Sequence, residues 1–483
     1  MQKLKNPIEN RFCRITPYHY FCFFFIFLSK IPVFWHLLSL IFLSPPMDYT
    51  CGADGVLNHC PCEDPEWNRT VFSQTIQSKF NIVCDRVWLV SFSQSMLYVG
   101  TLIGSFLFGF MSDKYGRISM FCLSCLVLAI SGCLVGIMPT AAAFIFMRSI
   151  EGIGVGGAIV VGYVLCIEYC GIKHREIITG LYHIPINLGH VSLPGVSYLL
   201  RDCDEFQLAL SIPIFLFVPL KWVLYESPKW LMDHGHTEKA VVVMEKISEF
   251  NKEPIGNIES EIENYNTSYA EKTRRKVSFC QIFHHRKLSI NFLCLAYMYF
   301  VCGMGYYGVS QYIGKMSGNI HMNVAISGAL LIPGTLIAVI LLKVLGRRDF
   351  LMATLFLSGM FMIAVICIPP RLSWARVIVA CICNCFFFMS FIIVFLYGVE
   401  LFPTCVRSSV LGVLSVLSRL GQIAAPPINS LSEEASGCIF GVLAIISGAL
   451  CYPLPDTKYS ELPSSLEDSK TLPRRSVDRT AEI

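Results

Sequence analysis

The chain of 483 residues is 54% hydrophobic and only 15% charged, with a mean hydropathy of +0.57. Soluble domains average about 25% charged residues, so a water-facing globular protein is excluded and a polytopic membrane protein is indicated. The net charge of +4 includes no basic tract interleaved with aromatics, which argues against nucleic acid and leaves the lipid bilayer as the first partner.

A helix needs about 20 apolar residues to cross about 30 Å of hydrocarbon. Twelve stretches meet that need: 20–43, 88–110, 119–138, 141–166, 177–200, 206–225, 288–312, 323–343, 350–369, 374–398, 406–428 and 437–454. The first carries Lys30 and Pro32. It reads as a span and not a cleaved signal, because its apolar run is long and "SPPMDYT" is a poor cleavage site. Loop 44–87 follows, with Cys51, Cys60, Cys62 and Cys84 as disulfide candidates in three possible connectivities. The same loop holds the sequon Asn68-Arg69-Thr70, a glycosylation candidate. The remaining cysteines lie in runs such as "FCLSCLVLAISGC", where they read as small apolar side chains. No His/Cys set completes a metal site, and no cofactor is implied beyond a coupling ion of unknown kind.

After the second span, "GFMSDKYGRI" places Asp113, Lys114 and Arg117 in a tight turn opened by Gly109 and Gly116. Asp113 is expected at the positive N-terminus of a helix, and Arg117 beside a carboxylate. In the fourth span, Gly152, Gly154 and Gly157 spell the dinucleotide fingerprint GxGxxG, but inside a membrane helix and without a preceding strand. These glycines, like Gly100 and Gly104, read as sites of close helix approach. Arg148, near one end of that span, must face a cavity or a partner helix.

The longest break between spans is 226–287, where Thr237 is expected to cap a short helix with Ala240, Val243, Met244 and Ile247 on one face. The break separates a six-helix bundle at 20–225 from another at 288–454, flanked by an N-terminus at 1–19 and a polar, disordered tail at 455–483. The halves echo each other: "YGR" at 115–117 returns as "LGRR" at 345–348, and Glu168 with Arg175 returns 232 residues later as Glu400 with Arg407. Such parallel repeats mark transporters whose halves move about a central site. Placing both termini on one side gathers 27 Lys and Arg there against six opposite, which predicts cytoplasmic termini. The fold class is all-α integral membrane, with twelve helices in two pseudo-symmetric six-helix bundles. No metal set, nucleophile triad or phosphate loop points to an enzyme.

"GFMSDKYGR" resembles the loop signature of the major facilitator superfamily, and "MRSIEGIGVGG" (147–157) its fourth-helix motif. "FNIVCDRVWLV" (80–90), "ESPKWLMDHG" (226–235), "YGVELFPTCVRSSVLGV" (397–413) and "LPDTKYSELPSSLED" (454–468) are similar to the organic cation/anion/carnitine transporter family, of solute carrier family 22 type. That resemblance implies alternating access in a plasma-membrane carrier for small organic ions. It also implies gating roles for Asp113, Arg117, Arg148, Glu168, Arg175, Arg347, Arg348, Glu400 and Arg407, which should interlock across the bundles.

Arg419, in "SVLSRLGQIAAPP" near the middle of the eleventh span, is the outstanding intramembrane charge. Its guanidinium presents a fork suited to a carboxylate. By resemblance, cation-type members carry Asp at this position, whereas anion and carnitine members carry Arg. An organic anion or a carnitine-like zwitterion is therefore the expected substrate, with an organic cation uniporter and a non-transporting receptor as alternatives. Tyr306 and Tyr307 are expected to contact the substrate's organic body, with Asn384 and Gln311 as further binding candidates. Family members also carry an acid where this chain has Leu331 and a base where it has Asn384, which suggests a buried pair deleted together. His36, His183 and His190 read chiefly as hydrogen-bonded packing residues.

Overall fold

The computed structural model describes residues 15–51, 56–62, 64–170, 174, 178, 180–252, 279–403 and 406–457. Arg175, residues 253–278 of the linker and nearly all of the tail lie outside the described residues.

The helices that matter, in chain order, are α1 (Pro17–Leu38), α2 (Trp88–Tyr115), α3 (Arg117–Ile137), α4 (Ala141–Glu168), α5 (Ile184–Leu199) and α6 (Cys203–Ser211). After α7 (Thr237–Asn251) come α8 (Arg286–Lys315), α9 (Ile320–Val344), α10 (Arg347–Cys367), α11 (Ser373–Leu401), α12 (Arg407–Ile428) and α13 (Glu433–Leu450). Among the described residues, eleven helical stretches are long and apolar enough to cross a membrane. The fifth expected span, 177–200, contains α5, 16 residues long from Ile184, and part of its expected start lies outside the described residues. The sixth is broken: α6 passes into a tighter turn at Ile212–Phe217 and a last turn at Leu220–Val223, where Pro213 and Pro219 withhold backbone donors.

Loop 44–87 is not irregular throughout. β1 (Tyr49–Cys51) pairs antiparallel with β2 (Val56–Leu57) on one side and β3 (Pro65–Trp67) on the other. Disulfides Cys51–Cys62 and Cys60–Cys84 staple this small sheet. In the linker helix the cap is His236 and not Thr237, which is the first helical residue. Ala240, Met244 and Ile247 are its buried face.

The chain divides into two compact units that do not follow its two halves. The first gathers Met1–Leu37, Val99–Gly189 and Asp204–Arg275; the second gathers Leu38–Tyr98, His190–Cys203 and Lys276–Ile483. The reason lies inside the second unit, where the loop-44–87 ends of first-half helices pack on second-half helices. Phe42 and Phe72 stack on His321 of α9 at 5.4 and 5.5 Å. The Ser95 hydroxyl of α2 donates to the Ile423 carbonyl at 3.0 Å, an acceptor set free because Pro427, four residues on, has no N–H.

Inside the first unit, helices approach at glycines. A Cβ at Gly104 of α2 would collide with the Ile153 carbonyl of α4, and one at Gly154 of α4 with the Leu128 backbone of α3. The GxGxxG run is thus a packing surface. Lys30, the charge inside α1, is buried: its ammonium donates to the Tyr182 carbonyl at 2.7 Å and lies 3.0 Å over the Tyr182 ring. A cation–π contact and one carbonyl replace the water it lost.

Gly104→Leu should therefore cost on the order of 1–3 kcal/mol through overpacking, read as a lower melting temperature in detergent. Gly195→Ala, where a Cβ meets nothing within 4 Å, is the control and should leave melting unchanged.

Candidate functional site: paired charges at the helix ends and a central arginine

At the end of the first unit that holds Asp113, Arg117 is the hub. Its Nε donates to Glu168 Oε1 at 3.0 Å and its Nη1 to Ser112 Oγ at 3.0 Å, and it pairs with Asp113 one turn earlier. Asp113 does not serve the helix N-terminus as expected. That place belongs to Glu226, whose Oε1 accepts the Arg117 and Ile118 backbone N–H groups at 2.8 and 3.2 Å. Asp113 sits in the last turn of α2, i−4 from Arg117, so it meets the side chain and not the backbone. Gly116 adopts φ +105°, and a Cβ there would meet the Glu226 carboxylate. Burial raises the Glu226 carboxyl above its ordinary range, against the pull of the backbone donors.

The second unit repeats this design. Arg347 Nε donates to Glu400 Oε1 at 3.3 Å, and Asp456 Oδ1 accepts the Arg347 backbone N–H at 3.2 Å. The Thr457 hydroxyl holds the other Glu400 oxygen at 2.6 Å. Arg348 pairs with its neighbour Asp349 at 2.7 Å, and Arg407 Nε donates to the Phe402 carbonyl at 3.0 Å. Glu226 and Asp456 were not anticipated, although "ESPKW" and "PDTKY" place an acid then a hydroxyl at the same point after the sixth and twelfth spans.

Arg148 is fully buried in the first unit, with Nη1 3.3 Å from Glu151 Oε2 one turn away on α4. His36 of α1 pairs with the same carboxylate, and Gln207 of α6 donates to it at 3.0 Å.

Arg419 lies midway along α12, in the second unit. Two glycines set its place: a Cβ at Gly303 of α8 would collide with the Ser418 carbonyl, and one at Gly421 of α12 with the Phe300 carbonyl. Backbone-to-backbone packing on both sides of residue 419 therefore fixes where its side chain leaves the helix. The guanidinium donates to Gln422 Oε1 at 3.0 Å and lies close enough to Tyr307 to act on it electrostatically. Unlike Asn384 and Tyr306, Arg419 is only half-buried.

On α8, Tyr307 belongs to a mixed aromatic and polar wall. Tyr306 packs on Tyr307 and Phe388 at ring distances of 4.9 Å each. Tyr307 meets Tyr98 of α2 edge-on at 5.7 Å, and Gln311 Nε2 donates to the Tyr98 hydroxyl at 3.1 Å. His190 of α5 comes within 3.5 Å of the Tyr306 hydroxyl. The structure thus brings Tyr306, Tyr307 and Gln311 together with His190, and adds Tyr98 and Phe388, which no local pattern marked. Tyr98 in particular lies more than 200 residues from Gln311 in the chain.

Asn384 is fully buried, accepting from Ser310 at 3.3 Å and donating to Ser327 of α9 at 3.0 Å. Leu331, also fully buried, lies one turn from Ser327. A neutral amide and two hydroxyls thus occupy this part of the core. Leu331→Glu alone should lower the yield of folded protein, since an unpaired buried charge costs several kcal/mol. Leu331→Glu with Asn384→Lys should recover much of that loss in a size-exclusion assay. Equal behaviour of both single variants and wild type would contradict the pairing.

The Sugar (and other) transporter family model matches residues 66–463. Solute carrier family 22 member 3 of Rattus norvegicus is 30% identical over 416 residues, covering 85% of this chain and 74% of that protein. The organic cation transporter protein of Drosophila melanogaster is 28% identical over 431 residues, covering 87% and 79%. The inward open conformation of the xylose transporter XylE from E. coli matches with a TM-score of 0.69 at 17% identity, over 94% of this chain and 99% of that one, which establishes the fold. The chain therefore belongs to the solute carrier family 22 group of the sugar (and other) transporters in the major facilitator superfamily, a family of multi-pass membrane transporters and not of enzymes.

Proposed function

We propose that the protein carries small organic anions, or zwitterions with a carboxylate, across the plasma membrane by alternating access, with Arg419 binding the anionic group. The observation that carries this reading is the guanidinium midway along α12, set beside Tyr307 and only half-buried. Between residues 286 and 428 the acids are Asp349 and Glu400, both at helix ends. A permanent cation entering this region would meet the positive charge of Arg419 midway along α12. A carboxylate would find a fork of donors in low dielectric, where charge-assisted bonds are strongest. Tyr98, Tyr306 and Tyr307 supply aromatic faces for the organic body, and these also suit an ammonium group of a zwitterion.

The rival is a cation carrier, favoured by the name of the Drosophila relative, an organic cation transporter protein. It needs an acid in the site, or a dominant cation–π contribution that outweighs Arg419.

In this reading the basic helix ends and both termini face the cytoplasm, and loop 44–87 faces outward. The two disulfides and the exposed Asn68 then lie in an oxidising compartment where glycan addition occurs. The paired charges at Arg117 and Arg347 act as gates by holding the helix ends of each body rigid while the bodies move.

The test is uptake into proteoliposomes of L-carnitine, benzoate and tetraethylammonium by wild type and Arg419→Ala. Loss of one charge-assisted contact should reduce carboxylate uptake about ten- to hundredfold. Tetraethylammonium uptake that survives the change, with no carboxylate uptake by wild type, would overturn the assignment.

A further inference from the structure

Past Arg419, α12 carries more hydrogen-bond acceptors than its own backbone can satisfy. Pro426 has no N–H to give the Gln422 carbonyl four residues earlier. Asn429, which caps the end of the helix, is 5% exposed. The orientation of its amide is fixed. Nδ2 donates to the Gly308 carbonyl of α8 at 2.8 Å, and Gln311 Oε1 lies 3.5 Å from the same nitrogen. Exchanging the amide oxygen and nitrogen would set oxygen against oxygen, so Oδ1 points away from Gly308. There it is buried with no donor.

Two donors lie close to Asn429, and both serve other acceptors. Gln311 Nε2 donates to the Tyr98 hydroxyl at 3.1 Å. Lys315 Nζ donates at 2.6 Å to the backbone oxygen of Asn429 and not to its side chain. A buried acceptor without a donor is costly, and folded proteins keep few of them. In a carrier, such an acceptor can be completed by what is carried.

The position of Asn429 ties it to the region of Arg419. All of these residues belong to the second unit. Tyr307, beside Arg419, and Gln311, beside Asn429, are one turn apart on α8, about 6 Å along its axis. Positive charge stands at both ends of this stretch, with Arg419 on α12 and the exposed Lys315 on α8. An ammonium group at Oδ1 would be repelled by both. The donor that suits Oδ1 is therefore neutral, a hydroxyl or an amide N–H.

We propose that Asn429 is a specificity-determining residue, whose Oδ1 accepts a hydrogen bond from a hydroxyl or amide N–H on the substrate's organic body, about one helical turn from the group that meets Arg419. A site built to bond a hydroxyl rejects the analogue that lacks it, because the buried acceptor is then left unpaired. The proposal rests on the placement of substrate in this region, argued above, and not on the sign of the charge that Arg419 selects.

The test uses two pairs of probes that differ in the donor alone. An extended chain of six bonds reaches about 7 Å, so ω-hydroxyhexanoate is compared with ω-methoxyhexanoate, and (ω-hydroxyhexyl)trimethylammonium with its methyl ether. Binding is read as the concentration that gives half-maximal thermal stabilisation of the purified protein in detergent. Wild type should need about tenfold less of the hydroxy member than of the methoxy member. Asn429→Leu should erase that difference, and Asn429→Asp, which keeps an acceptor, should retain it. Equal potency of the two members in wild type overturns the proposal whatever the variants do. An unchanged preference in Asn429→Leu marks a packing amide only and also overturns it, as does a failure of all four probes to stabilise the protein. A donor preference seen in the ammonium pair, with neither carboxylate binding, would overturn the anion assignment of Arg419 and leave the donor site standing.

Discussion

A charge inside hydrocarbon must find its partner inside the protein, because no water is there to take its place. The architecture follows from meeting that demand within each compact unit. Lys30 meets it with one carbonyl and one ring, Arg148 with a carboxylate shared among three helices, and Arg117 and Arg347 with acids gathered from separate helices. Arg419 differs in kind. It donates to the Gln422 side-chain oxygen on its own helix, and it is only half-buried. A half-buried guanidinium midway along a span is suited to meeting an anionic group of a substrate.

The two helix-end networks are the same device built twice. Arg117, Glu168 and Glu226 correspond to Arg347, Glu400 and Asp456, and in both cases the last acid accepts the backbone N–H of the arginine itself. One arginine thus ties together the start of its own helix, a carboxylate near the end of another, and the chain that leaves the last helix of its half. Helix ends tied in this way are suited to moving together. Rigid bodies of this kind are what alternating access requires.

Much of this was legible in the chain, for physical reasons that can be named. Spans were readable because hydrocarbon thickness sets a length, and Arg419 because a charge amid apolar residues stands out. The turn at Asp113 was readable, but the identity of the helix cap was not. Glu226 comes from 109 residues away in sequence, and nothing local separates it from an ordinary loop acid. The same holds for His36 and Glu151, which lie 115 residues apart, and for Tyr98, which joins the aromatic wall from a first-half helix. Hydrophobic periodicity shows that a helix crosses; it does not show which neighbour it faces. The pairing of four cysteines and the small sheet they staple were hidden for a related reason, since strands of two or three residues leave no periodic signal.

The central claim is that the charge at residue 419 selects the charge of what is carried. Arg419→Asp tests it most directly, by uptake of benzoate and tetraethylammonium into proteoliposomes side by side with wild type. Inversion of preference, with benzoate uptake lost and tetraethylammonium uptake gained, is the predicted result. Benzoate uptake at the wild-type rate in the aspartate variant would contradict it.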